Sequence, residues 1–209
     1  MNFDAGFRAE LLRLFQWRRD VRHFRPDALP DGTLERLLEI ATLAPSVGLS
    51  EPWRFVVVAD PTRRAAIRAD FQRCNTQAAC AQTAERAALY ARLKLEGMEA
   101  APVQFAVFAE GDPEQGHGLG RRSMPETATY SAALAVHTLW LAARAEGLGL
   151  GWVSILDPAT LRDVLDVPES WRFIGYFCLG FPMVESDTPE LQRAGWETRR
   201  RLPEKLLYR

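Results

Sequence analysis

Three arginines and one aspartate stand together in the pentad Arg18-Arg19-Asp20-Val21-Arg22, between an amphipathic helical pattern and an extended segment. A guanidinium group forms bidentate, charge-assisted hydrogen bonds, so arginines at this density suit a phosphate or another concentrated anion. The central aspartate would repel such a ligand and therefore needs a role of its own. The pentad alone leaves two interpretations open: an anion site, or a solvated surface cluster whose charges pair with one another.

Two further segments carry polar groups that could meet the same ligand. One is the turn of small residues from Ser46 to Trp53, and the other is the basic run Arg199-Arg200-Arg201. Each basic run taken alone is typical of a solvated surface. Together with the pentad, these segments could surround one anionic, aromatic molecule, with arginines on a phosphate and the hydroxyl and N–H groups of the turn on a polar ring edge.

Other motifs lack the context that their chemistry requires. The glycine-rich runs at 116–120 and 147–151 do not follow the strand–loop–helix order of a dinucleotide-binding fingerprint, so we interpret both as turn glycines. The three histidines have no cysteine or carboxylate at ligand spacing, which argues against a zinc site. No GxSxG elbow occurs, so no serine is an evident nucleophile.

The composition excludes several classes of protein. The 209 residues are 47% hydrophobic and 25% charged, with a formal net charge of −1, which is typical of a globular domain without the positive field that nucleic-acid binding needs. Cys74, Cys80 and Cys178 form no CxxC pair, as a reducing compartment permits. No signal-like start or membrane-length apolar run is present, so we expect a cytoplasmic protein without membrane contact.

Apolar spacing and turn residues predict the elements that position these groups. We expect helices at about 5–17, 31–41, 61 onward, 77–98, 131–146 and 158–165, and strands at 55–59, 103–109, 149–156 and 172–179. Asp31 and Asp157 should cap the helices that follow them. The helix at 131–146 is apolar on nearly every side and should be central and buried, whereas 77–98 has a weak apolar stripe and suggests a partly exposed flap. The sum is an α+β fold with a small mixed sheet wrapped by helices.

Several blocks of the sequence resemble one family. The segments RRDVRHF from Arg18, APSVGLSEPWRF from Ala44 and GLGWVS from Gly149 look like the flavin-binding signatures of the nitroreductase superfamily. The similarity is closer to its 5,6-dimethylbenzimidazole synthase branch, which the chain also resembles at 93–97, 124–126, 130–131, 139–147 and 152–158. The resemblance covers nearly the whole chain.

This resemblance implies a single nitroreductase-like domain over residues 1–209, with a lid around 72–98, that forms a homodimer with the flavin at the interface. In that branch, reduced FMN is a substrate: with dioxygen it is cleaved to 5,6-dimethylbenzimidazole, the lower ligand of vitamin B12, and erythrose 4-phosphate. A separate flavin reductase supplies the reduced FMN.

The resemblance also assigns roles to residues of this chain. Asp20 matches the essential aspartate of the branch, and Ser154 matches a functional serine near the flavin ring. The remaining cofactor-binding assignments are Arg18, Arg19, Val21, Arg22, Ser46, Leu95, Val153, Arg199 and Arg201, with Arg18 and Arg22 on the phosphate and Arg199 or Arg201 assisting. Asp20 would accept a proton from the flavin. A local ion pair for Asp20 and a backbone-bonded hydroxyl for Ser154 stay open as structural alternatives.

One position departs from the family pattern, and two other functions stay open. Glu51 stands where the family usually has glutamine before Pro-Trp, and its charge should either point away from the flavin or pair with Arg54. The first alternative function is an NAD(P)H-dependent nitro- or quinone reductase that retains its FMN. The second is a flavin-binding protein without catalysis. The presence of both Asp20 and Ser154 favours the synthase.

Overall fold

The sheet at the centre of the molecule has four strands in the order β1-β2-β4-β3. The computed structural model describes all 209 residues. Its strands are β1 (Trp53–Val57), β2 (Val103–Glu110), β3 (Gly149–Val153) and β4 (Trp171–Gly180). All three neighbouring pairs are antiparallel.

The expected mixed sheet is therefore wrong for these strands. β2 and β3 run in the same direction, since both are antiparallel to β4. A helical crossover between parallel strands commonly makes them neighbours, but here β4 inserts between them. The one parallel pairing with the sheet is an isolated bridge between Asp20 and Leu150.

Seven α-helices surround the sheet. They are α1 (Ala5–Trp17), α2 (Thr33–Ala41), α3 (Pro61–Cys80), α4 (Ala84–Tyr90), α5 (Thr127–Ala145), α6 (Pro158–Leu165) and α7 (Glu190–Arg193). Short 3-10 turns occupy Val47–Leu49 and Leu202–Lys205. The predicted cap of α6 is confirmed, because the Asp157 side chain accepts the Ala159 N–H at 3.0 Å. The predicted Asp31 cap of α2 is wrong: Gly32, with φ of 75°, holds that position and makes no side-chain bond.

The strands β2 and β4 are buried on both faces and divide the core. Side chains such as Phe108 and Tyr176 join α3 and α6 on one face, and Phe105 and Phe177 join α2 and α5 on the other. The expectation that α5 is buried on nearly every side is wrong. Its inner stripe is buried, but Tyr130 and Leu134 are 54% and 45% exposed. No residue of α1 is buried, although this helix carries the predicted apolar stripe.

The segment predicted as a flap consists of two parts. α3 continues to Cys80, and α4 follows after a short break. The buried Tyr90 at the end of α4 donates a hydrogen bond to Asn75 Oδ1 at 2.7 Å and meets the Trp196 ring with centroids 6.0 Å apart. In this structure α4 thus packs on α3 and on the C-terminal segment, and its function as a lid stays a prediction.

The pentad lies along β3 because glycines let the two backbones approach closely. The Val21 N–H donates to the Leu150 carbonyl at 3.1 Å. A Cβ on Gly151 would overlap the Val21 carbonyl oxygen, and one on Gly149 would lie 2.8 Å from a Val21 methyl. The interpretation of 147–151 as turn glycines is therefore correct only for Gly147, which follows α5 and has a φ of 76°. In the run 116–120, all three glycines have a positive φ, as expected of turns.

Gly151→Ala tests this close approach. We expect a loss of about 1–3 kcal/mol in the free energy of unfolding, because the new methyl group meets backbone rather than a flexible side chain. Urea denaturation measures it. Gly111→Ala is the matched control, since its Cβ would find its nearest neighbour at an ordinary 3.5 Å. Equal stabilities of the two variants would contradict the account.

Candidate functional site

Asp20 joins three segments of the chain through its carboxylate. Oδ2 accepts hydrogen bonds from Arg22 Nε at 3.0 Å and Nη2 at 2.9 Å, and Oδ1 accepts the Trp152 N–H at 2.8 Å. Arg22 Nη1 in turn donates to the Lys94 carbonyl at 2.8 Å. The local ion pair that the sequence left open is therefore present, and it connects the pentad to β3 and to the segment after α4.

Burial governs the protonation of Asp20. Desolvation raises the pKa of its carboxyl above the ordinary 3.8, while the Arg22 charge and the Trp152 N–H lower it less. A carboxylate with a raised pKa is a better proton acceptor than an ordinary aspartate. The same side chain can thus hold the site together and take up a proton.

Whereas Arg22 pairs with Asp20, the neighbouring Arg18 and Arg19 form no ion pair with a carboxylate. Arg18 lies over the Trp140 ring at 4.6 Å, and its guanidinium donates no hydrogen bond to the protein. Arg19 Nε donates to the Asp187 carbonyl at 2.9 Å. Burial is the main cause that lowers the pKa of Arg18 and of Arg19, and the charge of Arg199 lowers both further. Three guanidinium groups therefore lie close enough to repel one another, as in a binding site for an anion.

The other predicted binding residues divide into two groups. Val21, Leu95 and Val153 pack in or against the core cluster next to Asp20. Arg201 is exposed on the tail, where its backbone N–H donates to Glu204 Oε1 at 3.2 Å, and the structure does not bring it to the other arginines.

Ser46 lies near the N-terminal end of α5, whereas Arg18 lies over Trp140 in the C-terminal half of that helix. Its hydroxyl accepts the Glu51 N–H at 3.1 Å, and the adjacent Val47 N–H donates to Ser131 Oγ at 3.0 Å. Trp140, which supports Arg18, follows Ser131 by nine residues, or about 13 Å of helix. One chain therefore does not bring the turn into contact with the arginines, contrary to the simplest expectation.

Glu51 does not pair with Arg54 through its side chain. Arg54 Nη1 donates to the Glu51 backbone carbonyl at 3.0 Å, and its carboxylate partner is Glu110. Of the two alternatives for Glu51, the side-chain pairing with Arg54 is therefore wrong. Glu51 has a positive φ of 43° within the turn, and its carbonyl rather than its carboxylate lies next to Arg54.

Ser154 is exposed immediately after β3, and its hydroxyl makes no hydrogen bond with the protein. The alternative of a backbone-bonded strand-end hydroxyl is therefore not what the structure shows. Ser154 follows Trp152 by two residues, so the Asp20 bond fixes the backbone close to it. Its hydroxyl remains available to a ligand.

Sequence reasoning missed two contributors to this site. Trp140 supports Arg18 and donates from Nε1 to the Arg19 carbonyl at 3.1 Å. The available signal is a tryptophan on a largely apolar helix, together with an arginine-rich segment. The Lys94 carbonyl gives no such signal, because a backbone group carries no residue-specific information.

Comparison with known proteins places these features in context. The chain matches the sequence profile of the nitroreductase family over residues 15–181. It is 58% identical over 201 residues to a 5,6-dimethylbenzimidazole synthase of Rhodospirillum rubrum, covering 96% of this chain and 95% of that protein. It is 49% identical to another 5,6-dimethylbenzimidazole synthase, from Rhodobacter capsulatus, covering 94% and 95%.

A solved structure shares the fold. Oxidized iodotyrosine deiodinase bound to FMN and 3-iodo-L-tyrosine superposes with a TM-score of 0.71 at 24% identity, over 84% of this chain and 91% of that chain. No helix in the present structure has the length and apolar character needed to cross a membrane.

The pKa of Asp20 predicts how stability depends on pH. A raised folded-state pKa means that the native state binds more protons than the unfolded state, so stability falls as pH rises from below 3.8 through the raised value. Relative to Asp20→Asn, the wild-type protein should lose stability across this window and show no further relative change above it. Urea denaturation of both proteins between acid and neutral pH measures the difference. A relative gain in the wild type would mean that Arg22 outweighs burial.

Proposed function

This chain belongs to the nitroreductase family, and from that premise we propose that it is an oxidoreductase that cleaves reduced FMN with dioxygen to 5,6-dimethylbenzimidazole and erythrose 4-phosphate. The observation that carries the proposal is the Asp20 carboxylate, held by Arg22 and Trp152 beside the unpaired guanidinium of Arg18. The high identity to two synthases over nearly the whole chain supports it. The family and the α+β fold expected from the motifs are confirmed.

The residues fit FMN by charge. Arg18, Arg19 and Arg199 form the cationic cluster that a phosphate would neutralise. The guanidinium group of Arg22 donates to the Asp20 carboxylate and to the Lys94 carbonyl. We therefore assign Arg22 chiefly to orienting that carboxylate rather than to binding the phosphate. Relatives of this fold bind FMN. Reduced FMN, when bound, supplies the electrons that dioxygen accepts.

Asp20 and Ser154 would act on the bound substrate. Asp20 accepts a proton from it, since its pKa is raised and Arg22 fixes its position. The free Ser154 hydroxyl donates or accepts a hydrogen bond at the flavin ring. Val21, Leu95 and Val153, which pack in or against the core cluster beside Asp20, would form the apolar side of the substrate site.

A homodimer would complete the site. The turn at Ser46 lies at the opposite end of α5 from the arginines, so a second copy would supply the turn to the flavin bound by the first. The exposed apolar side chains of α1 and α5 would provide a contact surface for the second copy. These are Phe7, Leu11, Leu12 and Phe15 on α1, and Tyr130 and Leu134 on α5.

A separate flavin reductase would provide reduced FMN in the cytoplasm. Residues 72–98 would act as a lid that keeps water from the substrate once dioxygen has entered. Because such a lid leaves little room for a stacked nicotinamide, NAD(P)H would not reduce the bound flavin directly.

The activity is tested by giving the purified protein reduced FMN without air, then admitting air and separating the products. We expect 5,6-dimethylbenzimidazole in proportion to the FMN consumed, and none from oxidised FMN or without protein. Return of oxidised FMN alone, with reduction of quinones or nitroarenes by NADPH, would show a reductase. Tight flavin binding with neither activity would show a flavin-binding protein without catalysis.

Arg18→Gln tests the phosphate assignment. We expect FMN affinity to fall about ten- to a hundred-fold, the loss of one charge-assisted contact of about 1.5–3 kcal/mol. Affinity for riboflavin, which lacks the phosphate, should change much less. Arg68→Gln, an exposed arginine of α3, is the control. Equal losses for FMN and riboflavin would remove Arg18 from the phosphate site.

A further inference from the structure

The short segment that carries Ser154 is held at both ends by carboxylates from distant parts of the chain. At one end, Asp20 Oδ1 accepts the Trp152 N–H at 2.8 Å. At the other end, Asp70 Oδ2 accepts the Asp157 N–H, also at 2.8 Å. Asp70 belongs to α3 and lies outside the site described above.

Asp70 is a buried carboxylate whose position is well defined. Its side chain is only 2% exposed, and Arg73 pairs with its Oδ1 from one turn further along α3. Arg73 is 48% exposed and also lies 3.7 Å from Asp157 Oδ2. A buried carboxylate is costly unless hydrogen bonds satisfy it, and the Asp157 N–H bond is one of those that do so.

The residues between the two bonds have little other freedom. Leu156 is buried in the core cluster of this face, and Ile155 packs against the same cluster. Asp157 then begins α6 as its N-cap. Ser154 is thus the exposed residue of a segment whose backbone is fixed before and after it.

We propose that Asp70 is a positioning residue for Ser154: its bond to the Asp157 N–H, together with the Asp20 bond to Trp152, holds the Ser154 hydroxyl where the substrate is cleaved. This inference rests on the proposed function. Asp70 touches neither Asp20 nor the cluster of Arg18, Arg19 and Arg199, and it acts only through the backbone of this segment.

Asp70→Ala and Asp70→Asn distinguish the loss of the hydrogen bond to the Asp157 N–H from the loss of the buried charge. Alanine leaves the Asp157 N–H without an acceptor, whereas asparagine keeps an acceptor oxygen at the same reach. In air, we expect Asp70→Ala to bind reduced FMN normally but to form about ten-fold less 5,6-dimethylbenzimidazole per FMN consumed, because a small displacement of a reacting group has an effect of this order. Asp70→Asn should retain most of the yield.

Ser154→Ala shows whether the effect passes through the serine. If Asp70 acts by placing Ser154, the double variant Asp70→Ala/Ser154→Ala should give the same yield as Ser154→Ala alone. Multiplied losses in the double variant, or a normal yield in Asp70→Ala, would overturn the proposal. Loss of FMN binding in Asp70→Ala, with a normal yield per bound flavin, would mean that Asp70 only supports folding.

A second pair of variants leaves the buried carboxylate untouched, in case Asp70→Ala does not fold. Asp157→Pro removes the N–H that Asp70 accepts, at a residue whose φ of −85° is near that of proline, about −65°. Asp157→Ala removes the helix cap but keeps the N–H. The proline variant should lose yield and the alanine variant should not; equal yields would overturn the proposal.

Amide hydrogen exchange distinguishes this inference from the proposed function. The amides of residues 153–156, which all the variants keep, should exchange faster in Asp157→Pro and Asp70→Ala than in Asp157→Ala or the wild type, whatever the activity. If the wild type formed no 5,6-dimethylbenzimidazole, the proposed function would fail while exchange still reported on the segment. Unchanged exchange in the variants would contradict the positioning role itself.

Discussion

The Asp20 carboxylate is the contact on which the arrangement of this site depends. It accepts hydrogen bonds from the Arg22 guanidinium and from the Trp152 N–H, so it attaches the pentad to the edge of the sheet at β3. Arg22 extends this attachment to the Lys94 carbonyl after α4. Without Asp20, the pentad would still lie near β3 through Val21 and Leu150, but Arg22 would lose its carboxylate partner and the Ser154 segment would lose one of its two fixed ends.

The same contact determines which arginines of the site are paired with a carboxylate and which are not. Nε and Nη2 of Arg22 both donate to Asp20 Oδ2, which leaves little of that charge for a ligand. Arg18 and Arg19 are left without a carboxylate partner, and burial lowers the pKa of each guanidinium group. The central acid therefore compensates one arginine and leaves Arg18 and Arg19 without a carboxylate, as the proposed phosphate site requires. The aspartate that is out of place in a simple phosphate site is consistent with a site that both binds and reacts.

Local sequence signals predicted the elements that depend on local interactions. The bounds of α1 and the Asp157 cap of α6 follow from apolar spacing and from a carboxylate before proline. The buried strands β2 and β4 follow from their apolar runs. Gly149 and Gly151 were misinterpreted because a strand glycine that admits a neighbouring backbone has the same sequence appearance as a turn glycine.

The parts of the site that the sequence could not predict depend on tertiary contacts. Whether Arg22 faces a ligand or Asp20 is decided by burial and by the Lys94 carbonyl, neither of which has a sequence signal. The separation of Ser46 from Arg18 along α5 depends on which end of the helix each segment packs against. The resemblance to a family implies the roles of Asp20 and Ser154, and the structure shows that Asp20 is hydrogen-bonded to the backbone two residues before Ser154.

The most direct test of this account is the yield of 5,6-dimethylbenzimidazole per bound reduced FMN in Asp20→Asn compared with the wild type. The substitution keeps the size and the hydrogen-bonding reach of the side chain but removes the proton-accepting carboxylate. The account predicts that the variant binds reduced FMN and, in air, returns oxidised FMN and peroxide without 5,6-dimethylbenzimidazole. A normal yield per bound flavin, with binding or folding impaired instead, would contradict the catalytic role of Asp20.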